Sequence, residues 1–132
     1  MGRDEVMAWV ARYERAWRQN DVGAVAELFT ELARYAPSPY DEPEVGHAAI
    51  EAFWPEEGGT RFTMSADPVA VEGRSAVVRV RVHYSAPREQ EYQDLWVLRF
   101  ADDGRVEDFE EWAHWPGRPY RAAQEQGAAG PA

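Results

Sequence analysis

The apolar positions change period partway along the chain. In three segments before residue 54 they recur at helical spacing, and from residue 61 they alternate. Val6, Trp9, Val10, Tyr13, Ala16 and Trp17 form one stripe at intervals of three and four, predicting a first helix capped by Asp4. Asn20-Asp21 reads as a break and a new cap. Val22, Val25, Ala26, Leu28 and Phe29 then fit a second, short helix. Residues 32–36 read as extended, and the run Pro37-Ser38-Pro39-Tyr40-Asp41-Glu42-Pro43 cannot be helical. Gly46 to Trp54 predicts a third helix with Ile50, Phe53 and Trp54 on one face, ended by Pro55 and Gly58-Gly59.

The second half reads as strands. Arg61 to Ala70 contains the first, and Glu72-Gly73-Arg74 is a turn. Ser75 to Ser85 alternates Val78, Val80, Val82 and Tyr84 against Arg79, Arg81 and His83, the pattern of a half-buried strand. Glu91 to Phe100 alternates Tyr92, Asp94, Trp96, Leu98 and Phe100 against Gln93, Leu95, Val97 and Arg99. Asp102-Asp103-Gly104 is a hairpin turn, and Arg105 to Trp115 is the last strand. Helices followed by a run of strands predict an α+β fold with three N-terminal helices packed on one face of a strongly curved, mostly antiparallel sheet. Residues 1–118 read as one domain and 119–132 as a flexible tail. The inward face of the fourth element carries Asp94 between Tyr92 and Trp96. A carboxylate there is costly unless it is paired, hydrogen-bonded or beside a water-filled cavity, so it favours a pocket over a solid core.

Composition narrows the chemistry. The chain has 132 residues, with 24 acidic side chains against 14 arginines and no lysine, a net charge of −10. That balance argues against nucleic acid and anionic membranes as partners. There is no cysteine, which removes thiol nucleophiles, iron–sulfur clusters and Cys-based zinc sites. The start lacks a signal-peptide layout, and no apolar run approaches the roughly 18–20 residues of a spanning helix, so a cytoplasmic protein is expected. His47, His83 and His114 lack metal-ligand spacing, the four serines lack a nucleophile elbow, and no glycine-rich phosphate loop occurs. No metal or cofactor is therefore expected. Six Trp and six Tyr are many for one small domain.

Two segments, LFTELARYAPSPYDEPEVGHAAIEAFW (Leu28 to Trp54) and EYQDLWVLRFADDGRVEDFEEWAHWPG (Glu91 to Gly117), resemble the SnoaL-like branch of the nuclear-transport-factor-2-like superfamily. Asp21 before the second helix, Gly46-x-x-x-Ile50 and the Asp-Gly hairpin match in order and spacing across residues 4–118. The resemblance implies a cone-shaped barrel enclosing a hydrophobic pocket. It also implies a range of activities, from ketosteroid isomerases, polyketide cyclases, epoxide hydrolases and dehydratases to modules without catalysis. Tyr13 falls on the ketosteroid-isomerase oxyanion tyrosine, and Trp96 falls where those enzymes carry a second, acidic donor. The general-base position falls near Pro37 or Ser38, where no carboxylate stands, which argues against the full ketosteroid-isomerase mechanism. In the last strand the resemblance turns Phe109, Glu111 and Ala113 inward, offset by a bulge after Val106. Without that bulge the phase selects Glu110, Trp112 and His114.

Tyr13, Asp94 and Glu111 are the candidate catalytic groups. Two carboxyls facing one apolar cavity drive each other's pKa apart, leaving one an acid and the other a base. Tyr13 could polarise a substrate oxygen. The plainer alternatives are an Asp94 paired with an arginine such as Arg61, a Glu111 solvated at the rim, and a Tyr13 bonded to backbone. Trp17, Tyr35, Phe53, Trp54, Met64, Tyr84, Trp96 and Phe109 are the candidate substrate-binding residues, although core packing is the simpler reading of each. The expected function is a cofactor-independent acid–base enzyme of isomerase, cyclase, dehydratase or epoxide-hydrolase type, acting on a small apolar carbonyl or epoxide. The alternative is a ligand-binding or dimerisation module of the same fold without catalysis. A homodimer through the face bearing Arg79, Arg81 and His83 is expected.

Overall fold

The computed structural model describes residues 1–53 and 61–117. Trp54, the end of the third helix and the tail predicted at 119–132 lie outside them. Helix α1 spans Arg3–Gln19. It starts ahead of the predicted Asp4 cap because the Glu5 carboxylate accepts a hydrogen bond from the Gly2 N–H at 3.0 Å, satisfying a free donor at the helix start. Asn20, in the left-handed conformation at φ 52°, ends it. A 3₁₀ turn at Val22–Ala24 leads into the one-turn helix α2, Val25–Leu28. Phe29 does not continue that helix. It opens strand β1, Phe29–Ala36, three residues before the predicted extension, because it pairs with Val106 of the last strand.

The rest follows as β2 (Glu44–Val45), α3 (His47–Phe53), β3 (Arg61–Glu72), β4 (Ser75–Ala86), β5 (Gln90–Phe100) and β6 (Val106–His114). The two-residue β2, too short to leave a periodic signature, was not expected from the sequence. It pairs with Arg34 and Tyr35 of β1. The six strands lie in the order β2-β1-β6-β5-β4-β3, antiparallel except where β1 runs parallel to β6. The sheet is mixed and open, with the three helices packed on it, so the cone is a curved wall rather than a closed barrel.

Trp9 sits at the centre of the core. It is fully buried, donates its indole N–H to Leu28 O at 3.0 Å, and packs against the rings of Tyr13, Phe29, Phe100 and Phe109. This ties α1 to the end of α2 and to β1, β5 and β6 through aromatic burial, the largest apolar area per side chain. His47 bonds Phe29 O at 2.8 Å, locking the start of α3 to β1.

The register of β6 decides what faces inward. Arg99 pairs with Asp108 but Phe100 pairs with Val106, leaving Glu107 as an extra residue in β6. This bulge, immediately after Val106, selects the phase in which Phe109, Glu111 and Ala113 point toward the helices. Trp112 and His114 are exposed on the other face.

Candidate active site

A cavity of about 360 Å³ opens between α1, the end of α3 and the wide end of the sheet. Its wall is built by alternation. Val82 and Tyr84 come from β4, Tyr92, Asp94 and Trp96 from β5, and Glu111 and Ala113 from β6. Tyr13 and Trp17 reach it from α1, Tyr35 and Pro37 from the end of β1, and Phe53 from α3. Thus Tyr13, Asp94 and Glu111 meet in one cavity, together with Trp17, Tyr35, Phe53, Tyr84 and Trp96. Phe109 and Met64 are not on its surface. Phe109 is fully buried deeper in the cone, stacked on Tyr35 (ring centroids 4.6 Å) and on Tyr13 (5.7 Å). Met64, on β3, packs against the core from the side. Tyr92 and Val82 were missed as lining residues, although Tyr92 shares the alternation that placed Asp94 and Trp96.

Cross-strand register brings the carboxyls together. Asp94 faces Ala113, and Trp96 faces Glu111. Asp94 and Glu111 are therefore diagonal neighbours on one face, within reach of long side chains. The methyl of Ala113 leaves room for the Glu111 side chain to lean toward Asp94. The two carboxyl groups hydrogen-bond each other, which requires a proton on one of them. Burial raises both pKa values. Glu111 is pushed up from 4.5 to about 9, first by burial and then by its bond to Asp94 and the charge there. Asp94 also rises by burial, but the bond from Glu111 works in the opposite direction. The pair therefore holds a shared proton at neutral pH, with Glu111 the more strongly raised of the two.

Asp94 is only 5% exposed, and its Oδ1 has no hydrogen-bond partner among the described residues. Trp96 Nε1 is likewise buried without a well-formed hydrogen bond. It still lies near both carboxyls and favours their charged forms. Arg61, the alternative partner for Asp94, is exposed and does not line the cavity. The Tyr13 and Tyr35 hydroxyls meet at 3.1 Å. Burial raises the pKa of both, and for Tyr35 the charge of Glu111 adds to it. They remain neutral donors at physiological pH. Phe109 stacks on both rings and so fixes the angle at which the hydroxyls converge.

Among the described residues no group of three or more His, Asp or Glu side chains converges as a metal site would require. His83 lies 3.3 Å from Glu89 on the outer face. No described helix is long and apolar enough to cross a membrane.

Residues 10–109 match the SnoaL-like domain family, and the chain belongs to it. Solved structures with this fold include an LEH-like epoxide hydrolase of M. tuberculosis. It is 14% identical with a TM-score of 0.68, over 84% of this chain and 84% of that one. The epoxide hydrolase/cyclase-like enzyme SalBIII, of pyran ring formation in the polyether salinomycin, is 19% identical with a TM-score of 0.65, over 82% and 89%. An NTF2-like protein of unknown function from Mesorhizobium loti is 20% identical with a TM-score of 0.64, over 85% and 93%. A search of curated proteins matches none. At these identities the structural likenesses establish the fold, and the chemistry must be argued from the side chains.

The pair has a consequence for stability. Folding raises the Glu111 pKa from 4.5 to about 9, so the folded state holds a proton that the unfolded chain releases. The stability this contributes is complete below the unfolded value, declines as pH rises above it, and is gone once pH passes the folded value. Thermal unfolding should therefore show a melting temperature that falls between pH 4.5 and about 9, with a flatter profile for Glu111→Gln. Parallel profiles for the two proteins would contradict the assignment.

Proposed function

We propose that this protein is a cofactor-independent acid–base enzyme acting on a small apolar carbonyl or epoxide substrate. The observation that carries the reading is the hydrogen-bonded Asp94–Glu111 pair in the wall of an aromatic cavity. Such a pair holds an acid and its conjugate base side by side at one pH. With a carbonyl substrate, Asp94 accepts a proton from the carbon next to the carbonyl while Glu111 or the tyrosine pair donates to the oxygen. With an epoxide, Glu111 protonates the ring oxygen as it leaves carbon, and Asp94 takes a proton from the attacking water or hydroxyl. Tyr13 and Tyr35 supply the neutral O–H donors that stabilise developing negative charge on oxygen. The epoxide-hydrolase and cyclase-like names of two structural relatives suit the epoxide route.

The test is turnover on a panel of enones and epoxides. On the substrate that reacts, Asp94→Asn and Glu111→Gln should each lower kcat by about 10²-fold or more while the fold is kept. Activity should also fall on the alkaline side as Glu111 loses its proton near pH 9. A chain that binds panel members but leaves all unchanged, with or without these substitutions, is a binding module instead.

We also propose that the protein works as a homodimer, with the outer face of the sheet as the interface. Leu95 and Trp112 are cross-strand partners on that face, 39% and 50% exposed, with Val97 beside them at 40%. Arg79 and Arg81 flank them on β4, and Glu107 and Glu110 on β6. A two-fold axis through the apolar centre sets the arginines of one copy against the acids of the other. Light scattering should give a dimer mass for the native chain and a monomer mass for Trp112→Glu; a monomeric native chain would refute the assignment.

A further inference from the structure

We infer that the cavity binds an organic ammonium group, held between the ring walls of Trp17, Tyr84 and Tyr92 and the carboxyl pair at their base. This goes beyond the acid–base reading and does not rest on it, because a cation can be held whether or not chemistry follows.

Three observations converge. The first is the shape of the mouth. Tyr84 and Tyr92 are set at 87° with centroids 6.0 Å apart, and Trp17 stands at 61° to Tyr84 at 6.3 Å. Rings inclined so steeply to one another form the sides of a box, the arrangement in which aromatic faces surround a quaternary or protonated amine. The second is the charge below. Tyr92 and Asp94 are two residues apart on the same face of β5, so the carboxyl pair lies about 7 Å beyond the box. A trimethylammonium group between them touches ring faces on its sides and negative charge beneath. The third is the state of that charge. Asp94 is more than nine-tenths buried, lines the cavity, and keeps Oδ1 without a partner among the described residues. Trp96 Nε1 is the protein donor nearest the pair and makes no well-formed hydrogen bond, so negative potential is left at the cavity wall for a cation to meet. No Arg or His is among the described residues that line the cavity.

A ring box over a carboxylate pair also discriminates by charge. A cation gains from both the quadrupoles and the carboxylate, a neutral body of equal shape gains only burial, and an anion is repelled by both. The groups facing the pair are Tyr13 on α1, Tyr35 on β1, Tyr84 on β4 and Tyr92 on β5, all phenols. As pH rises through the range where Glu111 gives up its proton, the pair gains a second negative charge, and a permanently charged ligand should bind more tightly.

Isothermal titration of the full chain with choline and with 3,3-dimethylbutan-1-ol tests this, since the two have the same shape and differ in charge. Choline should bind at least about tenfold more tightly than the alcohol. Its affinity should increase with pH up to and past about 9, while that of the alcohol stays level. Tyr84→Leu and Tyr92→Leu should each weaken choline, and the double variant Asp94→Asn/Glu111→Gln should bring it down to the alcohol. Equal affinities in the native chain, no choline binding at millimolar concentration, or full choline affinity in the double variant would each overturn the inference. Turnover on the enone and epoxide panel is read separately, so either idea can fail alone.

Discussion

The site depends on one costly arrangement: two carboxyl groups taken out of water and placed against each other in an aromatic wall. Neither could be buried as an isolated charge. Sharing a proton removes one charge, and the hydrogen bond between them stabilises the other. The remaining burial is made tolerable by the cavity that Asp94 faces, by the neighbouring Trp96 N–H, and by the tyrosine hydroxyls close by. Replacing both carboxyls with apolar side chains of similar volume would relieve that cost, whereas replacing one alone strands the other, so the pair is better explained by chemistry or recognition than by stability.

The fold supports this pair with few parts. The bulge at Glu107 sets the phase of β6, so that Glu111 faces inward and Trp112 outward. Ala113, opposite Asp94, is small enough to let the acids meet. Trp9 ties α1 to the sheet from below, and Phe109 separates Trp9 from the cavity while orienting Tyr13 and Tyr35. The packed aromatic core and the open cavity are thus successive layers of one fold, joined through Phe109 and Tyr13.

Much of this could be read along the chain. Alternation in β4 and β5 placed Asp94, Trp96 and Tyr84 on the inner face, and the helical stripe placed Tyr13 and Trp17 opposite them. Periodicity alone could not set the phase of β6, because one extra residue reverses every side chain beyond it. There the family resemblance, through its bulge, selected Glu111 over Glu110 and His114. The direct Tyr13–Tyr35 bond was out of reach, since residues 22 apart meet only through the parallel pairing of β1 with β6. The depth of Phe109 was hidden for a related reason: alternation places it inward like Glu111 and Ala113, but only the packing of Tyr13 and Tyr35 over it makes it core rather than lining.

The pair works in this way only if Glu111 carries a proton at neutral pH and shares it with Asp94. Carboxyl ¹³C chemical shifts, followed from acid to alkaline pH in the native chain and in Asp94→Asn, measure this directly. One glutamate carboxyl should titrate near pH 9 in the native chain and move downward when Asp94 is replaced. If every glutamate titrates within about one unit of the ordinary value near 4.3, the pair does not share a proton and the proposed chemistry loses its basis.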